Sequence, residues 1–203
     1  GTPTMGGLIF LFPLIIGAIF IKKIYYSGFL AIFITIAYGI IGFIDDFIKI
    51  KYKHNEGLKP YQKIIAQLAL AIIIAIYSYN NLFIGSYINV PFLKEQIDLK
   101  WLYIPFVIII YLASTNGVNL TDGLDGLAGG LSFIALVTFG LISWNTDWLF
   151  GYESLALLCF TLAGSVLGFL LFNVSPAKVF MGDTGSLALG AFLGSIAILT
   201  RHE

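Results

Sequence analysis

"GFLAIFITIAYGIIGFIDD", residues 28–46, carries no charge until its last two positions, Asp45 and Asp46. A run of this length and apolarity matches the roughly 20 residues a helix needs to cross the hydrocarbon core of a bilayer. Its closing pair of carboxylates then demands a reason, because charge at membrane depth is expensive and by default marks a functional site. Six further runs of the same character flank it, at 7–21, 62–79, 101–115, 126–143, 152–172 and 185–200. The runs at 7–21, 101–115 and 185–200 are short, so their ends must reach into the interfaces. No repeat and no flexible linker divides the chain. The expectation is an all-α fold: a polytopic transmembrane helix bundle of about seven spans, forming one integral membrane domain over residues 1–203.

Composition agrees with that reading. The chain is 59% hydrophobic and 11% charged, whereas soluble domains carry about 25% charged residues. Its 22 glycines and 16% aromatic residues suit helices that approach closely in lipid. A net charge of zero offers no broad basic face, so nucleic acid is not an expected partner. The single cysteine, Cys159, lies in an apolar run and reads as a packing residue.

Seven crossings fix the parity of the connections. Residues 1–6, 47–61, 116–125 and 173–184 fall on one side of the membrane, and 22–27, 80–100, 144–151 and the terminal "RHE" fall on the other. Every aspartate-bearing motif therefore shares a face with the opening "GTPTMGG". Lys49, Lys51, Lys53, Lys59, Lys63 and Lys178 lie on that face, against Lys22, Lys23, Lys94, Lys100 and Arg201 opposite. The lysines packed between 49 and 63 tip the motif face towards the cytoplasm. Trp101, Trp144, Trp148 and Tyr87 read as an aromatic belt on the far side, and His54 as a solvated loop residue; His202, beside the chain end, is uninformative.

The motif face has the parts for phosphate chemistry. Asp45 and Asp46 read as the end of a helix, and two adjacent ionised carboxylates need a cation nearby. Mg²⁺ is a hard ion that combines one or two carboxylates with substrate phosphates. Asp122 and Asp125, in "GVNLTDGLDGLAGG" (117–130), share one face if that stretch is helical; alternatively Gly117, Gly123 and Gly126 shape an irregular turn. Asp183, in Gly-Asp-Thr-Gly, stands where the next apolar run begins, which is also an ordinary place for a helix cap.

Together "GTPTMGG" (1–7), "GFIDDFIKIK" (42–51), "NGVNLTDGLDGLAGG" (116–130) and "FNVSPAKVFMGDTGSLALG" (172–190) resemble the phospho-N-acetylmuramoyl-pentapeptide transferase family, within the polyprenyl-phosphate N-acetylhexosamine 1-phosphate transferase superfamily. That resemblance implies a Mg²⁺-dependent enzyme of the bacterial plasma membrane with its site on the cytoplasmic face. Undecaprenyl phosphate, a polyprenyl phosphate lipid, would attack UDP-MurNAc-pentapeptide, giving lipid I and UMP in peptidoglycan biosynthesis. Carried over by motif, Asp183 would be a Mg²⁺ ligand, and Asp45 and Asp46 would serve the metal or the lipid phosphate. A phosphate nucleophile is already an anion near neutral pH, so Asp45 reads as a positioning group before a general base. Asp122 and Asp125 match the "DGLDG" element, with Asp125 near the uracil and Phe180 stacked on it. Lys49, Lys63, Asn119 and Asn173 match polar and basic substrate-binding positions, with Thr4 and Gly6 as further candidates. Membrane lipids are implied partners, and a homodimer is compatible with the family. Members of the family usually add a helix before "GTPTMGG" and a histidine-bearing region after the position of Glu203, so the expectation is a fragment that is inactive alone.

Two other functions compete. A sister transferase acting on UDP-GlcNAc would share the Asp-Asp and Gly-Asp-Thr-Gly-Ser elements. An ion-coupled transporter would instead place carboxylates near helix midpoints and show inverted-repeat symmetry.

Overall fold

The computed structural model describes residues 2–21, 24–53, 56–81, 84–90, 96–144 and 152–201. His54, His202, Lys22, Lys23, Lys94 and Trp148 lie outside the described residues. All seven apolar runs are helical: α1 (Gly7–Phe20), α2 (Tyr26–Tyr52), α3 (Pro60–Asn80), α4 (Tyr103–Thr121), α5 (Leu127–Trp144), α6 (Tyr152–Asn173) and α7 (Gly182–Thr200). Six are long and apolar enough to cross a membrane, and α1, with 14 residues, is shorter. At 1.5 Å per residue α1 reaches only about 21 Å, and Pro13 within it removes one backbone donor. The chain is a multi-pass membrane protein.

Two boundaries differ from the sequence expectation. Asp45 and Asp46 do not end their helix, because α2 continues to Tyr52. The ammonium of Lys49 reaches back one turn to Asp45, so the polar extension is held by an i, i+4 pair. Likewise α4 runs on to Thr121, well into the stretch expected as a loop. The connection between α3 and α4 adds a two-stranded antiparallel ribbon, β1 (Tyr87–Ile88) against β2 (Ile97–Asp98), which no periodicity announced.

Helix α7 is the axis of the bundle. Leu187, Leu189, Phe192 and Ile196 are fully buried, and α1, α2 and α4 close around them. Glycine makes the approach possible at several places. A Cβ on Gly42 would overlap the carbonyl of Asp183, and a Cβ on Gly190 would come within 2.5 Å of the Ser114 carbonyl oxygen. In lipid, where the hydrophobic effect does not drive helices together, such small-residue contacts supply the packing energy. Outward-facing Phe12, Phe33, Ile73, Ile109, Ile134 and Leu171 are each more than 60% exposed, which in water would be a severe liability and in a bilayer is the natural surface.

Buried polar side chains tie the helices across the bilayer. Tyr38 donates to the Gln67 carbonyl at 2.9 Å, and the Asn116 amide donates to the Gln67 side-chain oxygen at 2.7 Å, joining α2, α3 and α4. Tyr111 and Ser195 share a hydrogen bond of 3.0 Å between α4 and α7. At the end away from the aspartates, the Arg201 guanidinium donates to the Ile84 carbonyl, and Asn89 donates to the Arg201 carbonyl at 3.3 Å. Tyr87, Trp101 and Trp144 are exposed at that same end.

Candidate active site

Four helix ends and three loops bring the aspartate motifs together at one end of the bundle. Consecutive residues on a helix point about 100° apart, so Asp45 and Asp46 serve different neighbours. Both are only 2% exposed. Asp46 faces the first turn of α7: one oxygen accepts the Asp183 N–H at 3.2 Å, and the other accepts the Thr184 N–H at 2.9 Å and the Thr184 hydroxyl at 2.7 Å. A helix leaves its first N–H groups without internal partners, and its dipole favours an anion there. Asp46 is therefore the N-terminal cap of α7, delivered from α2.

That arrangement frees Asp183. It lies in the first turn of α7 and does not cap it; the capping position is Met181. One carboxylate oxygen of Asp183 accepts both Lys49 at 2.9 Å and Lys63 at 3.0 Å. The other accepts the Asn119 amide at 2.5 Å, and Asn119 also donates to Ser186 at 2.8 Å. Lys49 stands 2.5 Å from the Asp45 Oδ2 and 3.9 Å from Asp46. Asp45 is pinned on its other side, where Oδ1 accepts the Leu58 N–H at 2.8 Å. The short ion pair holds the buried Asp45 Oδ2 against Lys49. Asp45, Asp46 and Asp183 offer oxygens that all lie within 4.8 Å of one another.

The remaining predicted residues divide into a turn and a brace. Asp122 and Asp125 do not share a helical face; Asp122 ends α4, and the chain turns through Gly126 at φ +77° before α5. A turn with Gly123 and Gly126 forms, while Gly117 lies inside α4. Burial pushes the Asp122 carboxyl up to about 7, with the charge of Asp183 adding to it and a hydrogen bond from the Gly182 N–H opposing it. Asp125 is exposed and accepts the Ala177 N–H at 2.9 Å. Asn173 is buried and bonded to the backbone at both ends of its amide: it accepts Gly126 N–H at 3.0 Å and donates to the Val179 carbonyl at 2.9 Å. It braces two loops through these bonds.

The opening motif is a wall of the same site. Phe180 N–H donates to the Pro3 carbonyl, and Gly6 N–H returns the bond to the Phe180 carbonyl, each at 2.8 Å. Thr4 lies against Gly182, which has φ +75° and whose added Cβ would stand 2.5 Å from Asp46. The Phe180 ring is 44% exposed beside this turn. Thr184, Ser186 and Leu58 are the site members that sequence reasoning did not single out. The first two stand inside a motif already quoted, and Leu58 contributes only its backbone, which no side-chain pattern could reveal.

The family model for "Glycosyl transferase family 4" matches residues 28–201. The chain belongs to glycosyl transferase family 4. The matched family region takes in α2 to α7 and every residue of the Asp45, Asp46, Lys49, Lys63, Asn119 and Asp183 cluster. Among curated relatives, the chain is 48% identical over 99% of its length to a phospho-N-acetylmuramoyl-pentapeptide-transferase of Clostridium novyi (strain NT). It is 45% identical, again over 99% of its length, to one of Clostridium perfringens (strain 13 / Type A). A third relative of the same name, from Halalkalibacterium halodurans, is 43% identical over 100% of the chain. The chain spans 61%, 62% and 62% of the lengths of these three family members. The resemblance drawn from the four motifs is borne out.

Proposed function

We propose that the full-length protein transfers phospho-N-acetylmuramoyl-pentapeptide from its UDP carrier to undecaprenyl phosphate, releasing UMP and forming lipid I. The observation that carries this reading is the cluster itself. Three carboxylates and two ammonium groups converge at one end of a membrane bundle, with Lys49 and Lys63 both donating to one oxygen of Asp183. The names of the relatives supply the reaction class. Carboxylates placed near helix midpoints, which an ion-coupled transporter would use, are not the arrangement here.

Mg²⁺ fits these residues. Three carboxylates against two lysines leave excess negative charge, and the donors are all hard oxygens. Asp45 Oδ2, with the Lys49 ammonium at 2.5 Å, keeps a second lone pair for a cation. Asp183 and Asp45 would hold the ion, with Asp46 contributing what its capping bonds leave free. Bound there, Mg²⁺ supplies charge neutralisation for the diphosphate. The protein's own contribution is positioning: Lys49 and Lys63 can turn from Asp183 towards phosphate oxygens while their stems stay fixed on α2 and α3. Phosphoryl transfer depends mainly on such alignment and electrostatic support. Asn119 orients Asp183 through its amide. The exposed Phe180 ring and Asp125 are offered to the uridine. The lysine-rich extension of α2 and start of α3 favour the cytoplasmic face of the bacterial plasma membrane for this end.

The test is UMP release by the full-length protein given undecaprenyl phosphate and UDP-MurNAc-pentapeptide or UDP-GlcNAc, with and without Mg²⁺. Release with the muramoyl substrate, abolished by chelation, is the expected result. Release with UDP-GlcNAc alone would move the chain to the sister activity.

A further inference from the structure

Gly57 lies in the connection between α2 and α3, and nothing in its backbone demands glycine. Among the described residues the glycines in the left-handed region are Gly85, Gly126 and Gly182, and Gly57 is not one of them. What glycine provides there is the missing Cβ. A Cβ at position 57 would stand 2.6 Å from Asp45 Oδ1, 2.7 Å from its Cγ and 2.7 Å from its Oδ2. Those three near-equal distances mean that a side chain at residue 57 would point onto the face of the carboxylate. The next residue donates its N–H to Oδ1 at 2.8 Å. The Leu58 side chain packs against the hydrophobic core, which anchors that donor. On the far side Pro60 opens α3, and Gln62 accepts the Lys59 N–H at 3.0 Å, so the residues that follow Leu58 are fixed too.

We propose that Gly57 and Leu58 form a backbone clamp on Asp45, a positioning element that fixes the carboxylate's rotamer. With Oδ1 held by the Leu58 N–H and one face covered by Gly57, Oδ2 is the oxygen turned to Lys49 and towards Asp183. Carboxylates that hold metals are themselves held by outer partners, and loss of such a partner typically weakens metal affinity by about 10- to 100-fold. Asp45 has little freedom to yield to a methyl group, since it is buried and bonded on two sides. This inference rests on the metal-binding reading of the Asp45, Asp46 and Asp183 cluster, and it does not require the identity of the transferred sugar.

The experiment is Mn²⁺ binding followed by electron paramagnetic resonance, on full-length protein in detergent. Gly57→Ala is expected to weaken binding at least about tenfold. In the Asp45→Ala background the new methyl occupies vacated space, so Gly57→Ala should add less than about a twofold effect. Gly168→Ala on α6, where nothing lies within 4 Å of an added Cβ, should bind as the parent does. Should Gly57→Ala fail to fold, replacing the Leu58 amide by an ester deletes only the N–H and is expected to weaken Mn²⁺ binding several-fold. Parent-like affinity in Gly57→Ala or in the ester variant overturns the clamp. So does full additivity in the double variant, or a parent protein that binds no Mn²⁺. A parent that binds Mn²⁺ and releases no UMP rejects the proposed reaction and leaves the clamp to be judged on affinity alone.

Discussion

Asp183 is the residue on which the site converges, because it accepts from Lys49, Lys63 and Asn119 at once. Replacing it by asparagine keeps the shape and removes the charge, so two ammonium groups would face an amide. Asp183→Asn in the full-length protein should lower UMP release by at least on the order of 10²-fold, by analogy with loss of one preorganised charge-stabilising group. Near-parental turnover would reduce Asp183 to an ordinary residue of the first helical turn. Asp122 gives a separate test through pH. Its carboxyl is raised from 3.8 to about 7, chiefly by burial. The folded state therefore holds this proton more tightly than the unfolded chain does. The stability it contributes is fully present below about 4 and is lost as pH rises towards 7. In metal-free detergent, Asp122→Asn should lose that component, so its melting temperature relative to the parent should rise from pH 5 to pH 8. An unchanged difference across that range would show that Asp122 titrates as an ordinary surface carboxylate.

At the scale of elements, the placement of α7 depends on α2. Asp46 gives both oxygens to the opening of α7, and Gly42 lets the two backbones meet one turn away. A lost cap ordinarily costs about 0.5–2 kcal/mol, and this one is buried, so the upper end applies. Asp46→Ala should lower the melting temperature in chelator more than Asp46→Asn, which keeps one acceptor. Equal melting temperatures for Asp46→Ala and the parent would remove the capping role. None of this partnership could be read from sequence. The two motifs are plainly visible, but the pairing of Asp46 with Thr184 spans 138 positions and depends on packing. The apolar runs were legible because membrane spans need length and apolarity, and their ends failed where polar residues continue a helix, as Lys49 does through Asp45. Gln67 and Thr115 were passed over because single polar residues inside apolar runs carry no periodic signal. Asn173 sits in its quoted motif, yet what it does is visible only once both of its backbone partners are in place.

For the whole molecule, the parity of the spans and the geometry of the bundle give one answer by independent routes. Counting crossings puts residues 1–6, 47–61, 116–125 and 173–184 on one side. The structure joins segments from all four: Pro3 to Phe180, Lys49 to Asp183, Asn119 to Asp183, and Asp125 to Ala177. At the other end Asn89 meets Arg201, and Trp101 and Tyr87 stand exposed. Sidedness can therefore be tested with a few reporter cysteines, because every connection follows once one is known. Cys159 is fully buried and can be replaced by alanine to silence the background. Reporters belong at exposed positions, Lys59 and Asp125 at the carboxylate end and Tyr87 and Trp101 at the other. An impermeant maleimide added to intact cells should label positions 87 and 101 and leave 59 and 125 unlabelled until the membrane is opened. Labelling of 59 and 125 alone would invert the orientation and contradict the cytoplasmic site. Labelling of 59 but not 125 would break the parity itself, and with it the convergence of the aspartates on which the catalytic reading stands.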